Sequence, residues 1–184
     1  MGLIPGIIIM FFCYRLTERI SFNIFYILHP LHVIFSAMAT ASLYKIYKQG
    51  GNFNIWFFYL VGYTGVIAIA TLSDSIIPYI GEGLLNLPNR GIHIGFIEKW
   101  YLVNPLALLG TTVAYFWTTS KFPHAVHVLL STLASLFHII MALGGKLNWT
   151  MAIVITLFLF FAVWIPTCGS DIVYPLLFVR DREK

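Results

Sequence analysis

Five stretches of this chain, at about 22–44, 55–80, 101–118, 124–143 and 149–179, are apolar enough and long enough to cross a bilayer. The hydrocarbon layer is roughly 30 Å thick and a helix advances about 1.5 Å per residue, so about 20 apolar residues suffice for one crossing. In that solvent the backbone must satisfy its own N–H and C=O groups, so runs of this length read as helices. Composition agrees. Of the 184 residues 59% are hydrophobic and 10% charged, and the mean hydropathy of +0.85 lies outside the range of an ordinary soluble domain. The expectation is an all-α integral membrane protein, multi-pass in the lipid bilayer. Its net charge of +4 is scattered Lys and Arg without a basic stripe, so no nucleic-acid partner is expected.

A shorter apolar segment, residues 2–14, contains Pro5 and lacks the basic start and small-residue cleavage site of a signal peptide. It aligns with the start of the 101–118 segment once the chain is compared with itself, which makes six helices the favoured count and five the fallback.

That self-comparison finds a duplication. HPLHVIFSAMAT from His29 returns as HAVHVLLSTLAS from His124. Gly50, Gly51 and Asn54, with a Trp shortly after, answer to Gly144, Gly145 and Asn148; Ser73, Asp74 and Pro78 answer to Ser170, Asp171 and Pro175. Resemblance among Leu and Phe would carry little weight in two membrane segments. The matching positions here are mostly His, Asp, Ser, Asn, Gly and Pro, which are costly to place in lipid and are kept where they are used.

An odd number of crossings per copy sends the second copy into the membrane from the opposite face, so the repeats are expected to be inverted about an axis in the membrane plane. The chain then reads as one membrane domain: a first repeat at about 3–80, a connecting loop at 81–100, a second repeat at about 101–179 and a short basic tail at 180–184. Lys and Arg divide six to one side and five to the other under this topology, too evenly for the positive-inside rule; the tail VRDREK tips the C-terminus toward the cytoplasm. This architecture resembles small secondary transporters and channels as a class, a likeness of fold that does not by itself carry a function.

His29, His32, Ser36 and Thr40 recur at helical spacing along one face, and His124, His127, Ser131 and Ser135 repeat the stripe. Imidazoles and hydroxyls facing lipid would be unsatisfied, so both stripes must face other helices or a wet cavity. A Gly-Gly turn folds each following helix back, bringing Asp74 level with His29 and His32, and Asp171 level with His124 and His127. Two imidazoles and a carboxylate suit a divalent transition metal, Zn or Fe first, as one or two ions. Ser36, Ser73, Ser131 and Ser170 would support these ligands by hydrogen bonds. The alternative is structural hydrogen bonding between the two halves.

The remaining features read more plainly. Cys13 and Cys168 fall at non-equivalent positions and form no framework, so both read as small core residues; Cys168 is also a conceivable soft ligand near Asp171. Pro166 and Gly169 are expected to break the last helix before Asp171. His138 reads as structural. In the connecting loop, Glu82, His93 and Glu98 form a candidate gate, with His93 and Glu98 foremost; a plain interfacial loop is the alternative.

Three functions are consistent with these residues. The leading one is transport of a divalent transition-metal ion, handed between two half-sites across the midplane. The second is a membrane-embedded metal-dependent enzyme, hydrolase or oxygenase, acting on a lipid or other small apolar substrate. Seven-helix ceramidase-like hydrolases combine Ser, Asp and three His in a membrane, but the order and duplication in this chain depart from theirs. The third is a structural subunit with no metal. A bundle of six short helices also admits a second copy as partner.

Overall fold

A computed structural model describes residues 3–48, 53–119, 121–169 and 173–178, with backbone alone for 165–168. The described elements are all helices: α1 (Leu3–Cys13), α2 (Glu18–Tyr47), α3 (Ile55–Thr71), a π turn (Leu72–Ile76), α4 (Ile77–Leu84), α5 (Gly95–Glu98), α6 (Trp100–Phe116), α7 (Lys121–Leu143), α8 (Trp149–Cys168) and α9 (Tyr174–Leu177). Three rods, Glu18–Tyr47, Ile55–Leu84 and Lys121–Leu143, are long and apolar enough to cross a membrane, while Leu3–Cys13 and Trp149–Trp164 are apolar but shorter. Trp56, Trp100, Trp117, Trp149 and Trp164 are all exposed, four of them at helix ends, as an interfacial belt requires.

The helix ends follow from the chain. Thr17 caps α2 by accepting the Ile20 N–H at 3.4 Å, and Glu18 complements the positive end of the helix dipole. The duplicated asparagine does the same work in both copies. Asn54 Oδ1 accepts the Trp56 N–H at 2.9 Å to start α3, and Asn148 Oδ1 accepts the Met151 N–H at 2.8 Å to start α8. Gly144 and Gly145 close α7 with φ of 63° and 74°, a left-handed backbone that glycine adopts without a Cβ clash. Their counterparts Gly50 and Gly51 lie outside the described residues.

Helix α2 is the centre of the molecule. It packs most extensively on α7, then on α6 and α3. His32 lies against His127 and Phe25 against His138, so α2 and α7 run antiparallel. The rod α3–α4 folds back along α2, with Phe58 beside Tyr44 at one end and Asp74 beside His29 and His32 further along. A core of Phe25, Leu136, Ile139, Ile140, Ile155 and Leu159 joins α2, α7 and α8; Val33, Ala37, Val66, Val103 and Ala107 join α2, α3 and α6.

Several boundaries differ from the sequence expectation. The second long helix continues to Leu84, so the connection is shorter than 81–100 and contains the helical turn α5. Asp74 accordingly stands ten residues before the end of the rod, deeper than a helix ending at 80 would place it. The α8 backbone is helical through Pro166 and ends at Cys168, next to Gly169. Residues 170–172 lie outside the described residues.

Candidate metal centre

Asp74 sits in the middle of the π turn Leu72–Ile76, where the Ile77 N–H reaches back to the Leu72 carbonyl. Such a turn inserts one residue into a helix and loosens its ladder, and it recurs at functional sites. Here it turns two successive side chains, Asp74 and Ser75, and the Ser73 carbonyl toward α2, α7 and the segment before α5. The Ser73 carbonyl accepts the Ser135 hydroxyl of α7 at 2.9 Å, and the Ser75 hydroxyl donates to the His93 carbonyl at 2.5 Å. Asp74 lies between them, fully buried.

The Asp74 carboxylate takes four hydrogen bonds. Oδ2 accepts from His29 Nδ1–H at 2.9 Å and from His32 Nδ1–H at 2.6 Å. Oδ1 accepts from the Ser73 hydroxyl at 2.7 Å and the Ser131 hydroxyl at 3.0 Å. An ionised carboxylate has about four lone-pair positions and acts only as an acceptor, so all are used and both imidazoles are fixed with Nδ1 as the N–H. One carboxylate thus ties together α2, the π turn and α7. With both imidazoles neutral the group carries one uncompensated negative charge, fully buried. An imidazolium or a bound cation removes it.

His29, His32 and Asp74 offer ligand atoms within 4.8 Å of one another and form a buried group that could hold a metal ion. The hydrogen-bond distances define how. Metal–nitrogen and metal–oxygen bonds of about 2.0–2.2 Å hold neighbouring ligand atoms more than about 3 Å apart, so an ion between Nδ1 and Oδ2 requires these side chains to part by about half an ångström. Binding at Nε2 is the other mode, one ring per ion, with Asp74 orienting the rings from behind in the usual carboxylate–histidine–metal arrangement. The Gly95 backbone stands close to His29 Nε2, where any side chain would run into the ring, so an ion on that nitrogen requires the two to part.

The second pair joins the first. The His127 ring stacks on His32 at 5.7 Å between centroids and 12° between planes, and His127 Nε2 lies 3.4 Å from His124 Nδ1. His32 and His127 therefore bring the two duplicated stripes into one seam between α2 and α7. Of the hydroxyls expected to support the ligands, Ser73 and Ser131 bond Asp74. Among the described residues the buried Ser36 hydroxyl has no hydrogen-bond partner, nor has that of Thr40 one turn on. Ser170 and Asp171 lie outside the described residues, as does the side chain of Cys168; Cys13 is a free thiol away from the centre.

The loop residues His93 and Glu98 pair at 3.4 Å, and Glu98 also accepts the Tyr26 hydroxyl. Sequence reasoning missed the interaction behind them. His138 Nδ1 and Glu82 Oε1 lie 2.7 Å apart, both residues buried. One signal was available, since His138 continues the face of His127, Ser131 and Ser135 at helical spacing. The other was not. The π turn adds a residue between Asp74 and Glu82, leaving them about 20° apart around the rod where a regular helix would set them about 80° apart.

Comparison with family models, with curated proteins and with solved structures gives no match to this chain. The functional reading therefore rests on the seam itself.

Proposed function

We propose that the protein is a membrane transporter of a divalent transition-metal ion, Zn or Fe, held at the interface of two inverted repeats of three helices each. The imidazoles of His29, His32, His124 and His127 are the ligands along the path, and Asp74 supplies the counter-charge, with Asp171 as its counterpart in the second copy. The single observation that carries this reading is the stacking of His32 of one copy on His127 of the other, beside a carboxylate that bonds both copies. A site shared by the two halves of an inverted pair is equivalent toward either face, which alternating access requires.

A reciprocal contact supports the inverted arrangement. A Cβ added at Gly6 of α1 would meet Thr132 of α7 at 2.9 Å, and one added at Gly110 of α6 would meet Ala37 of α2 at 2.9 Å. Thr132 and Ala37 are equivalent, each following the duplicated serine. Each short helix thus packs on the His-bearing helix of the opposite copy, which suits a three-plus-three bundle.

The test is ion flux into proteoliposomes loaded with a metal-sensitive dye. Zn(II), Fe(II) or Mn(II) is expected to enter with the wild-type protein and not with the His32→Ala/His127→Ala variant. Equal flux in both contradicts the reading. Tight binding without flux instead selects a metal-dependent enzyme acting on an apolar substrate, a reading favoured by the enclosure of a group with two imidazoles and one carboxylate.

A further inference from the structure

A second pair of imidazoles stands outside the central seam. His138 lies on α7, buried, with Nδ1 donating to Glu82 Oε1 at 2.7 Å; the other oxygen of Glu82 accepts the Gly91 N–H at 3.3 Å. His138 Nε2 is buried and has no hydrogen-bond partner among the described residues. In a neutral ring whose Nδ1 holds the proton, Nε2 is a bare lone pair, a metal ligand awaiting an ion. Beside this ring is His93, whose ring centroid lies 5.4 Å from that of His138 at 65° between planes. Two imidazoles on one tetrahedral ion have centroids about 5 Å apart, given metal–nitrogen bonds of about 2.0–2.1 Å. His93 in turn has Nδ1 beside Glu98 Oε2. A Cβ at Gly91 would meet His93 Nε2 at 2.9 Å, so glycine there keeps that nitrogen clear.

Both rings are thus held at Nδ1 by carboxylates, the arrangement that orients histidine ligands. We propose that His138 and His93 form a second site for a divalent transition-metal ion, bound through their Nε2 atoms, with Glu82 and Glu98 orienting the rings and the remaining positions left to water. His93 is 26% exposed and His138 is not exposed at all, so the site runs from the outside inward. Phe25 separates it from the centre, edge-on to His138 at 5.4 Å and stacked on His29 at 5.3 Å. Where the transport reading holds, and resting on it, this is the loading position from which the ion passes Phe25 to reach His29.

The experiment is acylation of His93 by diethylpyrocarbonate, followed by mass spectrometry on the purified, tag-free full chain with and without Zn(II). At Zn(II) about ten times its dissociation constant, the rate at His93 is expected to fall about tenfold. Protection should persist in the His32→Ala/His127→Ala variant and vanish in His138→Gln. That pattern upholds this site whether or not the central seam binds metal. No protection in the wild type, or undiminished protection in His138→Gln, overturns it. If His138→Gln does not fold, His93→Gln serves: it should bind one Zn(II) fewer than the wild type, and an unchanged stoichiometry overturns the proposal.

Discussion

At the scale of single residues, the molecule is organised by how completely each buried polar group is satisfied. Asp74 takes four donors from three elements and is the best-satisfied group in the described interior. Removing it leaves two imidazole N–H groups and two hydroxyls facing an apolar gap. Asp74→Ala is expected to lower unfolding stability in detergent micelles by about 3–5 kcal/mol, the cost of leaving several buried donors unpaired. Ser131→Ala removes one of the four bonds and should cost less, about 1.5–3 kcal/mol, since Ser73 still serves Oδ1. Equal losses in the two variants would contradict the role of Asp74 as the point joining α2, the π turn and α7. His138 is the opposite case: one nitrogen is held by Glu82 and the other left bare.

At the scale of elements, the pairing of α2 with α7 decides the geometry. Their antiparallel course is fixed by His32 against His127 at one level and Phe25 against His138 at another. Because each rod is long enough to cross the membrane, their N-terminal ends should emerge on opposite faces. With Cys13 and Cys168 replaced by alanine, a cysteine at Arg19 and one at Lys121 should each react with an impermeant maleimide, from opposite sides of sealed vesicles. Labelling of both from one side would contradict the inverted arrangement. The π turn is the other decisive element, because it sets Asp74 on the central seam and Glu82 on His138 from the same rod.

At the scale of the whole molecule, most of the helical frame was legible in the sequence. Apolar runs located the three rods long enough to cross, since only a helix satisfies its backbone in lipid; the runs at 101–118 and 149–179, expected to cross as well, gave α6 and α8, which do not reach that length and hydropathy within the described residues. Their ends were less legible. The first turn at Glu18 and the last residues to Leu84 are polar or glycine-rich, and they are helical because caps and packing hold them. The grouping of His29 and His32 with Asp74 was legible because the duplication marked those residues against an apolar background. The Glu82–His138 pair was not, because it depends on a π turn that has no local sequence signature and on a carboxylate that reads as part of a loop. Whether the seam holds metal is settled most directly by elemental mass spectrometry of the purified chain, prepared without a His tag or chelator, beside the His32→Ala/His127→Ala variant. The account predicts bound Zn or Fe in the wild type and its loss from the seam in the variant. No metal in either, even after reconstitution with a panel of divalent ions, would contradict it and leave the cluster as the bond between two halves of a bundle.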